Sequence, residues 1–195
     1  DTDFDGIKDL VVTPNAKNAS ENETSCMKYK NTGSNTVSNF VYSTKGFLQE
    51  DMIENGTASV PILADLTGDG LKDLFIANYY SYKQPLSKIS RIAFYKNTGT
   101  STQPIFSLVE NDFLNLSTTN YGLKMVPTFG DLTGDGKPEL ILGLEDGSLV
   151  YFKNTSTGST PTFAAPQLNY TDATGTIISA GQYAAPQLFD LDKDG

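Results

Sequence analysis

The stretch DLTGDGLKDLFIAN, residues 65–78, decides how this chain is read. DLTGDGKPELILGL at 131–144 repeats it, and DTDFDGIKDLVVTP at 1–14 resembles both. A fourth start, DLDKDG, occupies 190–195. The acidic motif therefore begins at Asp1, Asp65, Asp131 and Asp190, a period of about 60 to 65 residues, long enough for one supersecondary unit per repeat. Two further motifs keep step with it. YKNTGSNTVSNF (29–40), YKNTGTSTQPIF (95–106) and FKNTSTGSTPTF (152–163) each place an aromatic before Lys-Asn-Thr and a Phe at the same later position. VPILAD, VPTFGD and APQLFD, from Val60, Val126 and Ala185, each carry Pro four residues before the first Asp of an acidic motif.

Between these landmarks the chain reads as short strands. DLFIAN and ELILGL are near-continuous apolar runs bounded by turn formers, too short for helices and suited to strands covered on both faces. IAFYKN and SLVYFKN form the next strand, joined to its predecessor in the third repeat by EDGS, a tight-hairpin signal. NFVYSTK, PIFSLVE and PTFAAPQ supply a further strand, and the Pro-led segment another, making four antiparallel strands per period. One such sheet has two apolar faces that only stacked copies can bury.

The combination of VPxxxDLTGDGxxDL with YKNTG…PxF resembles the FG-GAP/VCBS repeats of integrin α-subunit propellers and of secreted bacterial proteins, the bacterial form more closely because of the YKNTGT run. The resemblance implies an all-β chain, a β-propeller of four-stranded antiparallel blades with calcium loops. About three blades' worth is present, with repeat units at 1–59, 60–124 and 125–184 and a further blade beginning at 185–195. Propellers close with four to eight blades. The expectation is part of one larger propeller domain completed by the remaining blades of the parent chain; an oligomer that completes the ring and an open arc are the alternatives.

Composition narrows the chemistry. The chain has 195 residues, 38% of them hydrophobic and 19% charged, enough apolar content to bury a core and too little charge for a self-repelling disordered chain. A formal charge of −9 argues against nucleic acid and against docking on anionic lipid, and no apolar run reaches the roughly 20 residues of a membrane span. With no His, the usual His-based nucleophile systems and zinc sites cannot be built. The single Cys26 is read as a small buried hydrophobe.

The acidic motif has the D-x-D-x-D-G-x-x-D form, in which alternate side chains converge while the sixth-position Gly allows the sharp turn that a hard cation's oxygen cage requires. The expected ligands are Asp1, Asp3, Asp5 and Asp9 in the first loop, Asp65, Thr67, Asp69 and Asp73 in the second, and Asp131, Thr133, Asp135 and Glu139 in the third. Asp190, Asp192 and Asp194 begin a fourth set, and Ile7, Leu71 and Lys137 would add backbone carbonyls. Ca²⁺, about one ion per loop, is the expected cofactor because it takes six to eight oxygens with flexible geometry. Thr67 and Thr133 lower site charge, so the first loop is expected to bind tightest. An EF-hand is excluded, since its twelfth position would be Glu, not Val12, Ile76 or Leu142. The competing reading is of Asp-Gly turns that cap hairpins without metal.

Such a staple is structural, so ligand recognition is expected at the opposite end of the blades, where loop length varies. Tyr79, Tyr80 and Tyr82, near Lys83 and Lys88, could stack on a sugar or pack on a protein; Tyr121 and Tyr170 should face the same way. The bland alternative has these tyrosines folding over their own blade edge. Tyr29, Tyr95 and Phe152 are read as packing residues, and Lys30, Lys96 and Lys153 as exposed turn residues. Asn18, Asn22, Asn55, Asn115, Asn154 and Asn169 lie in N-x-S/T sequons, meaningful only in a eukaryotic secretory pathway. The leading expectation is a secreted or cell-surface module that binds a protein or carbohydrate for adhesion or assembly, without a catalytic site. The alternatives are an accessory or catalytic propeller of a secreted polysaccharide-degrading enzyme and a structural spacer of a large surface protein.

Overall fold

β-branched and aromatic runs punctuated by Gly, Asn and Pro fold here into short strands, and the computed structural model describes residues 1–14, 25–50, 52–80 and 88–189. Asp190, Asp192, Asp194, Tyr82, Lys83, Asn18 and Asn22 lie outside the described residues. The described strands form three antiparallel sheets of three or four strands, the blades of an all-β, propeller-type chain. Two compact units divide it: one, through Glu54, carries the first sheet, and the other, from Asn55, carries the second and third.

In the first unit β1 (Leu10–Val12), β2 (Met27–Asn31) and β3 (Phe40–Thr44) pair in sequence order. Leu10, Val11 and Val12 are all exposed, as are Phe40, Val41 and Tyr42. Tyr29 packs edge-on against Tyr42 with ring centroids 5.7 Å apart. Cys26 is half-buried, in an isolated bridge to Gly46, which corrects the expectation of a buried thiol.

In the second unit β4 (Val60–Ala64), β5 (Asp73–Ala77), β6 (Ile92–Asn97) and β7 (Phe106–Glu110) form one sheet in chain order. β8 (Val126–Gly130), β9 (Glu139–Gly143), β10 (Leu149–Phe152) and β11 (Gln167–Leu168) form the next. β6 and β2 both carry a bulge just before the motif aromatic, between Phe94 and Tyr95 and between Lys28 and Tyr29. The two sheets share a core. Phe75 stacks on Phe94 at 4.8 Å and meets Phe129 at 4.7 Å, while Phe113, from a 3-10 segment at Phe113–Thr118, closes edge-on over both. Leu140, Leu142 and Val150 fill the other side, and each buried side chain of this size contributes about 1.5–3 kcal/mol.

The fourth strand of the last sheet is shorter than PTFAAPQ suggests: only Gln167–Leu168 pairs, with an isolated bridge at Phe163. Pro161 and Pro166 lack the amide a ladder needs. The Pro-led segment from Ala184 lies beside the third sheet: the Ala184 amide bonds Leu144, and Leu188 packs on Gly130. Tyr121 packs edge-on to Phe152 of the following sheet, and Tyr170 stacks on Tyr151 of its own at 5.0 Å.

Candidate metal centres

Each acidic loop leads into the same strand of its sheet, β1, β5 or β9, and in the second and third sheets it is the hairpin between the first two strands. Its first Asp shapes it from inside. Asp131 Oδ1 accepts amides of Thr133, Gly134 and Asp135, and its Oδ2 accepts Gly136 at 2.7 Å. Asp65 holds Gly68 and Gly70 likewise, and Asp1 holds Gly6. These turns need the sixth-position Gly, since Gly6, Gly70 and Gly136 have φ of 84°, 80° and 80°. The amides of Ile7, Leu71 and Lys137 donate to the fifth-position carboxylates of Asp5, Asp69 and Asp135 at 2.8–3.0 Å.

The ninth-position carboxylate ties this loop to the Lys-Asn-Thr loop, so both sit at one end of each sheet. Asp9, Asp73 and Glu139 accept the backbone amides of Asn31, Asn97 and Asn154 at 2.9, 2.9 and 3.4 Å. The three Asn side chains, each 1–3% exposed, are the hubs of their loops. Asn31 Oδ1 accepts Gly33 and Asn39, Asn97 Oδ1 accepts Gly99 and Ile105, and Asn154 Oδ1 accepts Ser156. Sequence reading passed over Asn31 and Asn97 and took Asn154 only as a sequon, although their recurrence in all three repeats was the available signal. Burial also removes Asn154 as a glycan acceptor, and the Asn55 amide is spent on the Ile76 carbonyl.

Beyond this shared frame the three loops differ. In the first, oxygens of Asp1, Asp3 and Asp9 gather within 4.8 Å of one another, the one such acidic triad among the described residues. Lys30 reaches into it, its Nζ 2.5 Å from Asp3 and 3.5 Å from Asp5. Asp3 is thereby held below the usual carboxylate range, and the Lys30 ammonium is pushed up by Asp3. Asp9 lies well below that range because the Thr2 hydroxyl, then the Asn31 and Thr2 amides, donate to it.

The second loop is the buried one. Asp73 is fully buried and Thr67 is 7% exposed. Asp73 Oδ2 and Thr67 Oγ1 are buried with no hydrogen-bond partner. Burial pushes the Asp73 carboxyl up; the Asn97 amide opposes this, while the Asp69 and Asp65 charges add to it. Asp69 is held down chiefly by the Leu71 amide, with help from Lys96, whose Nζ lies 3.3 Å away; the Thr67 hydroxyl is near enough to add to this without completing a hydrogen bond. A groove of about 900 Å³ bordered by Asp65, Thr67, Gly68 and Lys137 leads to this loop.

The third loop is self-satisfied. Glu139 is fully buried, and one of its oxygens takes the Leu132 amide at 2.8 Å while the other takes that of Asn154, as Asp9 takes the Thr2 and Asn31 amides in the first loop. Asp131 is held low by its four amides, that of Gly136 first. Lys137 stands 3.9 Å from Asp135, and Lys153 makes no ion pair among the described residues. Lys30 and Lys96 are thus ion-pair partners of the acidic loops, set by their place at the end of β2 and β6, which corrects their reading as turn residues. At the other end of the second sheet, Tyr79 and Tyr80 form a tilted pair 5.2 Å apart and Lys88 lies over Tyr80.

An oxygen cage is what this donor set offers. Two buried unpaired oxygens flanked by two more carboxylates suit a hard divalent cation, and oxygen-only donors with variable spacing suit Ca²⁺ better than Mg²⁺. Comparison with known proteins agrees with the fold. Residues 65–142, from the second acidic loop through β9, match the family model described as the FG-GAP-like repeat. No curated protein and no solved structure matches the chain.

Proposed function

We propose, for a chain whose residues 65–142 are an FG-GAP-like repeat, that it is a calcium-stapled, propeller-type binding module that works outside the cell. The observation that carries the metal reading is the pair of unpartnered buried oxygens, Asp73 Oδ2 and Thr67 Oγ1, in the loop that also holds Asp65 and Asp69. An unpaired buried carboxylate costs several kcal/mol unless a cation or a proton meets it. Ca²⁺ would be held by Asp65, Thr67, Asp69, Asp73 and the Leu71 carbonyl, pinning the β4–β5 hairpin to the Lys-Asn-Thr loop through Asp73. Asp1, Asp3, Asp5 and Asp9 with the Ile7 carbonyl would do the same for the first sheet. Asp131, Thr133 and Asp135 with the Lys137 carbonyl would form a third site weaker than the second, because both oxygens of Glu139 are committed to amides while Asp73 keeps one free.

Loops with few free carboxylates fill where calcium is near millimolar, which favours an extracellular or surface setting. Further blades of the same repeat would continue the stack on the third sheet, where the Ala185–Phe189 segment already follows the pattern of Val126–Gly130. With the acidic end given to staples, recognition of a protein or carbohydrate falls to the opposite end, where the Tyr79–Tyr80 pair offers an aromatic platform. The test is thermal unfolding in excess EGTA, in millimolar Ca²⁺ and in millimolar Mg²⁺. A rise of many degrees specific to calcium and abolished by Asp73→Asn is expected; identical melting in all three buffers sinks the staple.

A further inference from the structure

The Lys-Asn-Thr motif puts a lysine at one register position in every repeat, yet the three lysines are used differently. Lys30 bridges Asp3 and Asp5, two of the side chains that would meet a cation in the first loop. Lys96 makes a single, longer contact with Asp69 in the second, while Lys153 makes none among the described residues. Each lysine immediately precedes the buried Asn whose amide bonds the ninth-position carboxylate, and for Lys30 and Lys96 the end of β2 or β6 delivers the ammonium to the loop.

We propose that Lys30 and Lys96 are built-in counter-cations that hold the empty acidic loops together and that calcium must displace, so that lysine placement, rather than carboxylate number, sets the order in which the loops fill. The inference rests on the calcium reading above. An ammonium supplies one charge to two carboxylates; Ca²⁺ supplies two charges and gathers six to eight oxygens, including the Asp1 carboxylate and the Ile7 carbonyl that an ammonium on Asp3 and Asp5 leaves untouched. Both cations need the same Asp3 and Asp5 oxygens, so they exclude one another. The first loop, richest in carboxylates, therefore starts with the strongest competitor. The second, with Thr67 Oγ1 and Asp73 Oδ2 unpartnered and Lys96 on Asp69 alone, has its free oxygens already in place and fills first.

Calcium titration calorimetry on the whole chain, with Lys30→Met, Lys96→Met and Lys153→Met beside the wild type, tests this, together with melting in EGTA. Removing an exposed ion-pair competitor should raise site affinity by roughly three- to tenfold in Lys30→Met, less in Lys96→Met and not at all in Lys153→Met. In EGTA the order reverses: Lys30→Met melts below the wild type because its carboxylates have lost their counter-charge, while in calcium it melts at or above it. A lysine that merely props the loop would lower melting in both buffers and overturn the inference. Equal gains in all three variants would show a general field effect and overturn it too. Wild-type protein that binds calcium with Lys30→Met unchanged sinks this inference alone; wild-type protein that binds none sinks the calcium reading along with it.

Discussion

The first sheet and the second are built from the same repeat and differ in what surrounds them. β1 reads LVV and β5 reads DLFIA, and each follows an acidic loop pinned by its first Asp. In both, a buried Asn offers its amide to the ninth-position Asp, a lysine pairs with the loop, and a bulge precedes the motif aromatic. Yet all three residues of β1 are exposed, whereas Phe75, at the repeat position of Val11, is fully buried among Phe94, Phe113 and Phe129. Local devices are repeated by sequence; burial depends on neighbours. The asparagine hubs should therefore respond alike to damage in the two sheets, and the strands should not.

The sharpest way to break that contrast is at the matched strand position. Phe75→Ala removes a ring from a packed core and should cost about 3–5 kcal/mol in urea unfolding, whereas Val11→Ala, at a surface-exposed site, should cost well under about 1 kcal/mol. Similar losses at the two positions would mean that the first sheet also buries this face in solution. At the hub, the expectation is equality. Asn97→Ala and Asn31→Ala each strand two backbone donors and should each lose about 1–3 kcal/mol, within error of one another.

A smaller effect separates the two ninth-position carboxylates by sign. Asp9 is depressed, so its stabilisation is present above the unfolded value of about 4 and is lost as pH falls through the folded one. Asp73 is raised by burial, so its penalty is absent below about pH 4 and grows as pH rises through the folded value. In EGTA, Asp9→Asn should therefore weaken the protein at pH 7 and converge with the wild type in acid. Asp73→Asn should be relatively favoured at pH 7 and lose that advantage in acid. Denaturation midpoints between pH 3 and 7 read both slopes; parallel slopes would show that the two carboxyls sit in equivalent environments.

Much of the architecture was legible because it is local and repeated. Apolar runs between Gly, Asn and Pro marked nearly every strand, and a hard-cation donor pattern recurring at one spacing marked the loops. The last strand was misjudged because two prolines deny it a ladder, and the lysines were misjudged because no sequence spacing shows that the end of β2 or β6 lies beside a loop more than twenty residues earlier. The asparagines were overlooked for the same reason: an Asn in a turn looks solvated until its partners are known.

What the amino-acid sequence determined by itself was the repeat, the succession of antiparallel strands within it and the donor pattern of the loops, since all three depend on residues close in the chain. Tertiary structure alone decided which of three near-identical loops would bury unpaired oxygens, which would be filled by a lysine and which would satisfy itself. The amides that close on Glu139, a second sheet packed on Phe75 and the reach of Lys30 settle those outcomes, and each acts through space between segments that the sequence holds apart.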